Sequence, residues 1–120
     1  LFTGNGHHLL ALDITTGRPA PGFGNEGRVD LKKGLLDGLP DKQRLDLQSP
    51  PAVFRDIVIT GSSNGEGAPT IGAYGDIRGW DARTGALLWT FHTVPRPGEP
   101  GADTWPEGAW KNRSGTNAWG

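Results

Sequence analysis

One stretch of the chain combines many glycines with a single acid, a pairing that suits the binding of a hard metal ion. Between Gly61 and Gly75, Glu66 is the only acidic residue. Ca²⁺ and Mg²⁺ prefer carboxylate and carbonyl oxygens, and a glycine-rich backbone can approach an ion closely. The spacing alone, however, fits a solvated loop glutamate better. Glu66 is therefore a candidate metal ligand with an ordinary structural alternative.

The same glycine-rich stretch, from Gly61 to Gly75, could also bind an anion. Successive backbone N–H groups in such a loop can cradle an anionic ligand. The same residues are also typical of an ordinary long hairpin, so the stretch by itself leaves both interpretations open.

Two adjacent histidines, His7 and His8, form a second possible metal pair. Adjacent residues of a strand point to opposite faces, so the two imidazoles are predicted not to chelate one ion. We interpret both as turn or strand-end residues.

The elements that must position these residues contain a repeat. A short pattern occurs at 11–17 (ALDITTG) and again at 79–85 (GWDARTG). In each copy an Asp can bond turn amides and a Gly can accept positive φ, which predicts a tight strand-to-strand turn. A repeat in so short a chain indicates units that bury their faces only against neighbouring units.

Short apolar runs predict four consecutive antiparallel strands around the second copy, at 52–54, 57–60, 77–80 and 87–91. Strands of this number and length form a propeller blade or one sheet of a sandwich, and the repeat favours the blade. An isolated blade is expected to expose Trp80, Leu87 and Trp89 and to associate or aggregate.

These signals divide the chain into four parts. They are the end of one blade at 1–16, a long irregular surface excursion between blades at 17–50, a full blade at 51–92, and a loop with the start of the next blade at 93–120. The first unit should leave its sheet early, because Pro19 and Pro21 stand where the second unit has a strand. The chain begins at Leu1 inside a predicted strand, so we interpret it as a segment of a longer protein.

Composition restricts the class of protein. With 20 Gly, 10 Pro and 34% hydrophobic residues, the chain favours short strands and turns over a large helical core. A net charge of -1 gives little attraction for nucleic acid or an anionic membrane, so neither partner is expected. The absence of Cys excludes disulfides and thiolate metal sites.

The blade pattern A-x-D-x-x-T-G-x-x-x-W resembles the tryptophan-docking motif of the pyrroloquinoline quinone (PQQ) dehydrogenases. Six further strings are similar to the membrane-bound glucose dehydrogenase branch of that family: LFTG at 1–4, ALD at 11–13, PGFG at 21–24, GRVDL at 27–31, SPP at 49–51 and GSS at 61–63. The resemblance implies an all-β fold, namely a fragment of an eight-bladed β-propeller with about one full blade and parts of two neighbours.

The resemblance also implies a cofactor and metal site. Glu66 matches a carboxylate that ligates Ca²⁺ or Mg²⁺ beside PQQ, and Thr116 matches a threonine that approaches the cofactor. Ser63, Asn64 and Gly65 match the segment that lies along the quinone and binds one of its carboxylates. The catalytic aspartate of the family, its basic partner and the second metal-binding side chain fall after Gly120, so no catalytic residue is expected here.

Three positions depart from many relatives. Gln48 replaces a common Thr, which alters one expected cofactor contact, and Gly67 stands where glucose-type relatives often have Asn. Ala118 stands where methanol-type relatives have the Trp that stacks beneath PQQ. The small residue at 118 favours the sugar or polyol side of the family.

The parent protein is accordingly expected to oxidise a sugar or alcohol in the periplasm, either free or anchored to the inner membrane. Electrons would pass to a quinone or cytochrome, and the segment alone, without the remaining blades, is expected to be inactive. The alternative is a non-catalytic propeller scaffold for protein–protein binding, which shares the docking motif. Such a scaffold has no reason to keep the loop around Glu66 or the Gly115-Thr116-Asn117 string.

Overall fold

A computed structural model describes residues 1–35, 44–64 and 72–118. Within these ranges the chain forms two antiparallel sheets. The first contains β1 (Phe2–Asn5), β2 (His8–Ala11) and β3 (Arg28–Asp30) in that order, and the second contains β4 (Ala52–Phe54), β5 (Ile57–Thr60), β6 (Ile77–Asp81) and β7 (Leu87–Phe91). Two short 3₁₀ helices follow, Ala102–Thr104 and Ala109–Asn112. Nowhere in the described ranges is a helix long and apolar enough to cross a bilayer.

The second sheet confirms the four predicted strands. Each strand pairs with the next along the chain, and the pairs are antiparallel throughout. Arg55 adopts a positive φ of 55° in the two-residue turn between β4 and β5, as tight hairpins of this kind require. The register of β6 and β7 shifts between Gly79 and Trp80, which marks a β-bulge beside the second Asp turn.

The two copies of the repeat form the same turn. Oδ1 of Asp13 accepts from the backbone N–H groups of Thr15 and Thr16 at 2.8 and 3.0 Å. Oδ1 of Asp81 accepts from the corresponding N–H groups of Arg83 and Thr84 at 3.0 and 2.8 Å. The closing glycines 17 and 85 have φ values of 68° and 72°. The Asp-x-x-Thr-Gly turn predicted from the sequence is therefore confirmed in both copies.

The segment at 17–50 differs from the predicted surface excursion. Within it, Arg28–Asp30 forms β3 and pairs with β2, so the first unit regains its sheet after the prolines. Five large apolar side chains among its described residues are buried, namely Phe23, Leu31, Leu35, Leu45 and Leu47. The sequence shows no regular period here because irregular backbone, rather than strand, carries most of these core residues.

The core lies between the two sheets and joins them. Leu9 and Ala11 of β2, Val58 of β5 and Trp80 of β6 belong to one buried cluster with the apolar residues of 17–50 and Ala73. The second Asp turn also contacts the first sheet, since Gly24 donates its N–H to the carbonyl of Thr84 at 2.8 Å. The two sheets therefore share one buried cluster, to which the irregular residues of 17–50 contribute.

Arg78 is a buried cation that crosses between the sheets. Its guanidinium donates to the carbonyls of Leu31 and Lys33 at 2.5 and 3.0 Å, and it lies 4.7 Å from the ring centroid of Trp80. Burial is the main reason that the pKa of Arg78 falls to about 10. The side chain is therefore still charged at neutral pH, and carbonyl dipoles stabilise it there.

The expectation that Trp80 would be exposed is wrong. Trp80 is 4% exposed, and its Nε1 donates to Oγ1 of Thr60 at 2.9 Å. Leu87 and Trp89 do lie open, at 50% and 39% exposure. Trp80 is covered because the residues of 17–50 fold over the inner face of the sheet, whereas β7 is an edge strand.

Candidate functional site

A cavity of about 180 Å³ lies where the glycine-rich loop leaves β5. Its walls come from three separate parts of the chain: the 47–52 segment, the paired strands β5 and β6 with Gly61 to Ser63, and Ala118. Gln48, which departs from the family pattern, lies in the same wall. Apolar side chains of Ile59 and Ile77 form much of the surface, with a few hydroxyl and amide groups between them. Such a lining suits a largely apolar, planar ligand that carries polar substituents.

Ser62 supplies an unusual polar group to this cavity. The residue is 3% exposed, and its Oγ has no hydrogen-bond partner among the described residues. A buried hydroxyl without a partner costs about 1–3 kcal/mol, so most proteins avoid one.

Ser63 is held rigidly in the cavity wall. Its backbone N–H and carbonyl bond to Asp46 at 2.8 and 2.9 Å, which forms a bridge between the 44–48 segment and the loop. Ser63 itself is 8% exposed and lines the cavity. The same 44–48 segment binds the first sheet, since Leu47 donates its N–H to the carbonyl of Gly6 at 2.7 Å. Both sheets therefore fix the position of Ser63.

Asn64 joins the loop to the C-terminal segment. Its backbone N–H donates to Oδ1 of Asn117 at 2.8 Å, and its Nδ2 donates to the carbonyls of Ala73 and Ser114 at 2.9 and 3.2 Å. These bonds occupy the donors of Asn64. Its side chain therefore links the glycine-rich loop to the 114–118 segment. Only Oδ1 of that side chain remains to contact a ligand.

Two glycines of the loop make room for the chain itself. A Cβ at Gly75 would overlap the carbonyl of Thr116, and one at Gly61 would overlap the carbonyl of Ala118. Gly75 also donates its N–H to the carbonyl of Ser114 at 2.5 Å. At these two positions glycine is needed so that the 114–118 segment can pack against the loop. The sequence argument had instead explained the glycines of this loop by the close approach of a metal ion or an anion.

A buried ionic network supports the other side of this segment. Asp76 is 4% exposed and lies 3.8 Å from both His92 Nε2 and an Arg96 guanidinium nitrogen. Burial raises the pKa of Asp76, while His92, Arg96 and the N–H of Thr93 favour its charged form. Oγ1 of Thr93 accepts in turn from the N–H of Thr116 at 3.4 Å. Asp76 thus ties the loop at 92–96 to the segment that carries Thr116.

The comparisons with known proteins identify the family. The family model described as PQQ: Glucose/ethanol/alcohol dehydrogenase, beta-propeller domain matches residues 1–120. The chain belongs to this family. Its all-β antiparallel sheets are thus a segment of a PQQ propeller domain.

Several curated relatives carry dehydrogenase names. The chain is 33% identical to the glycerol dehydrogenase large subunit of Gluconobacter oxydans (strain 621H), in an alignment that covers 93% of the chain and 16% of the relative. It is 32% identical to the quinate/shikimate dehydrogenase (quinone) of Acinetobacter baylyi, over 92% of the chain and 13% of that protein. The quinoprotein glucose dehydrogenase of Escherichia coli (strain K12) is 30% identical, over 72% of the chain and 11% of that protein. The chain therefore spans about a sixth or less of these relatives.

A solved structure supports the fold. The chain matches a europium-containing methanol dehydrogenase with a TM-score of 0.65 and 22% identity, over 99% of the chain and 21% of that protein. At this identity the match bears on the fold alone. It agrees with the assignment of the two sheets to a PQQ propeller domain.

The residues that the family resemblance singles out are partly brought together. Ser63 lines the cavity, and Asn64 bonds to Asn117, which lies between Thr116 and Ala118 of the cavity wall. Thr116 is exposed beside this segment. Gly65, Glu66 and Gly67 lie outside the described residues. The cofactor and metal roles of these residues stay predictions.

The chemistry of the wall fits PQQ, an anionic planar quinone. The lining includes the polar residues Gln48, Ser49, Ser62 and Ser63, and the small Ala118 lies in the same wall. Sequence reasoning overlooked Ser62 and chose its neighbour. The string GSS at 61–63 was the available signal, since either serine could have faced the ligand. No local signal indicates the Asp76 network, because its members are far apart in the chain.

The sequence argument about the two histidines is wrong in one respect. His7 lies in the turn before β2 and His8 is the first residue of that strand, as expected. Because His7 is outside the strand, however, the alternation of faces does not apply to it. The two imidazole rings lie on the same side, with centroids 4.1 Å apart.

Proposed function

We propose that the chain is the part of a PQQ-dependent dehydrogenase that forms one wall of the cofactor site. The parent protein would oxidise a sugar or alcohol and pass electrons to a quinone or cytochrome. It would work in the periplasm, free or anchored to the inner membrane. The proposal includes an eight-bladed propeller with tryptophan-docking contacts, in which 51–92 is one blade and the remaining blades complete the site.

The observation that carries this proposal is the cavity at the root of the glycine-rich loop. Three distant parts of the chain meet there, and the Asn64–Asn117 bond fixes two of them. The buried Ser62 hydroxyl lies in the wall with no described partner. Family membership makes PQQ the natural occupant of such a wall.

The chain's own residues would bind and orient the cofactor. Ser62 and Ser63 would donate hydroxyl protons to its anionic oxygens, and the 114–118 segment, including Thr116, would set its plane. Glu66 would supply a carboxylate to Ca²⁺ or Mg²⁺ beside it, since such ions take oxygen ligands. When bound, PQQ supplies the hydride-accepting chemistry of alcohol oxidation, and the metal polarises its carbonyl. Ile59 and Ile77 would exclude water from the wall.

A titration of the purified 120-residue chain with PQQ in the presence of Ca²⁺, followed by tryptophan fluorescence, tests the proposal. We expect saturable quenching that requires the metal and is lost in Glu66→Ala. Glu107→Ala changes an exposed acid of the C-terminal loop and is the matched control.

The alternative is the non-catalytic propeller scaffold. If neither the chain nor the longest natural protein that carries it binds PQQ, and that protein lacks dye-linked oxidation of sugars and alcohols, the dehydrogenase proposal fails. Metal-dependent PQQ binding that needs Glu66 contradicts the scaffold, because a scaffold has no use for that acid.

A further inference from the structure

Two histidines and an aspartate meet at the end of the first sheet, far along the chain from the glycine-rich loop. His7, His8 and Asp30 each offer one ligand atom, and these atoms lie within 4.8 Å of one another. His8 and Asp30 are direct cross-strand partners in the pairing of β2 and β3. The Nε2 of His7 lies 4.0 Å from Oδ1 of Asp30. Strand register therefore places His8 beside Asp30, and the turn before β2 brings His7 to the same carboxylate.

The backbone around the cluster is well fixed. Gly6 adopts a φ of 58° in the turn before His7, which brings that residue round beside β2. The carbonyl of His7 then accepts from the N–H of Leu31 at 2.8 Å, one residue after Asp30. Oδ1 of Asp30 accepts from the N–H of Lys32 at 2.9 Å, which orients the carboxylate. A metal site needs such outer contacts to orient its ligands.

The ligand chemistry distinguishes between classes of ion. Two imidazole nitrogens and one carboxylate oxygen suit Zn²⁺ and its neighbours Ni²⁺ and Cu²⁺, whereas Ca²⁺ and Mg²⁺ need an all-oxygen set. Zn²⁺ binds such ligands at about 2.0–2.2 Å, so tetrahedral ligands lie about 3.4 Å apart. The ligand atoms lie within 4.8 Å of one another, so the side chains would rotate toward a shared ion when it binds. All three side chains reach solvent, which leaves access for the ion.

We propose that His7, His8 and Asp30 form a binding site for one Zn²⁺-class ion that clips β3 to β2. The bound ion would crosslink the two ends of the irregular stretch at 12–27, which includes Pro19 and Pro21. β3 has only three residues, so a metal crosslink at its end removes much of its freedom to separate from β2. The site is independent of the proposed cofactor chemistry, because it shares no residue with the cavity or with Glu66.

The test is isothermal titration of the metal-stripped chain with Zn²⁺. We expect one ion per chain, with no competition from Ca²⁺. Loss of an outer-shell partner already weakens metal affinity by about 10–100-fold, so His7→Ala, His8→Ala and Asp30→Asn should each weaken it by at least about tenfold. Asp103→Asn is the matched control for Asp30→Asn, because Asp103 is an exposed acid outside the cluster. Wild-type affinity in any cluster variant, or loss of binding in Asp103→Asn, would overturn the proposal.

A second measurement needs no variant and so does not depend on how a variant folds. Imidazole ¹H–¹⁵N correlation spectra of the wild-type chain should show the ring nitrogens of His7 and His8 shifting together at one equivalent of Zn²⁺. The signal of His92 should stay in place. If His92 shifts first, or if no histidine signal moves, the cluster is not the zinc site.

Discussion

The backbone N–H of Asn64 donates to Oδ1 of Asn117 over 2.8 Å, although 53 positions separate the two residues. This bond joins the glycine-rich loop to the 114–118 segment at the point where both reach the cavity. The Nδ2 of Asn64 adds a second link to the same segment through the carbonyl of Ser114. The cavity wall is thus built by a long-range contact, and its shape depends on that contact.

We predict that Asn117→Ala weakens both the fold and the cofactor site. The substitution leaves the N–H of Asn64 without its acceptor in a partly buried position, which should cost about 1–2 kcal/mol in the free energy of unfolding. The freed segment should also lower PQQ affinity by about tenfold, equivalent to about 1.4 kcal/mol. Urea unfolding and fluorescence titration measure the two effects. Asn117→Asp keeps the oxygen acceptor and should keep most of the stability, so an equal loss in both variants would contradict the assigned bond.

Ser62→Ala should have opposite effects on the free chain and on ligand binding. Since Oγ of Ser62 is buried without a described partner, its removal should leave the free energy of unfolding unchanged or raise it by up to about 1 kcal/mol. If the hydroxyl bonds PQQ, affinity should fall by about three- to tenfold. Thr60→Val is the contrast, because Oγ1 of Thr60 accepts from Trp80, and its loss should cost about 1–2 kcal/mol. A Ser62→Ala chain that is clearly less stable would show that the hydroxyl has a partner within the protein.

The sequence predicted the elements whose signals are local. The four strands of the second sheet follow apolar runs bounded by turn residues, and both Asp turns follow from five consecutive residues. The pairing of Phe23 and Leu31 with the core could not be predicted, because no period marks buried residues in irregular backbone. The convergence of His7 with Asp30 depends on a strand pairing across irregular chain, and sequence spacing does not indicate it.

In the candidate site, too, the sequence indicated residues with a local signal and missed those that depend on long-range contacts. Ser63 and Asn64 were predicted through the family resemblance, and the structure adds that Asn64 joins the loop to the C-terminal segment by hydrogen bonds. The sequence did not indicate the structural role of Asp76. That role depends on burial beside His92 and Arg96, which only the folded chain shows. Boundaries such as 51–92 stay predictions, since the two sheets share one core.

Acid should remove the stabilisation that the Asp81 carboxylate gives to the second Asp turn. Bonds from the N–H and hydroxyl of Thr84, and from the N–H of Arg83, lower the pKa of Asp81 below its ordinary value of 3.8. A carboxyl whose folded pKa is lowered contributes stability above its unfolded pKa and loses it as pH falls through the folded value. Wild type should therefore melt above Asp81→Asn at pH 6, and the difference should shrink as pH drops below about 4. Thermal melts from pH 2 to 7 measure this, with Asp103→Asn as an exposed control. A difference that grows on acidification would reverse the sign and contradict the turn assignment.

Arg78→Ala should be the most destabilising of these changes, because it removes the cation that joins the sheets. The buried guanidinium donates to the carbonyls of Leu31 and Lys33, and hydrogen bonds to charged groups contribute about 1.5–3 kcal/mol each. We expect a loss of about 3 kcal/mol or more in urea unfolding. Arg78→Lys should recover only part of it, since one ammonium does not reproduce the planar fork that reaches both carbonyls. Arg83→Ala removes an exposed partner of Asp56 and should change stability by less than about 1 kcal/mol. Equal stability of Arg78→Ala and Arg83→Ala would mean that the carbonyls of Leu31 and Lys33 find other donors and that the sheets do not depend on this side chain.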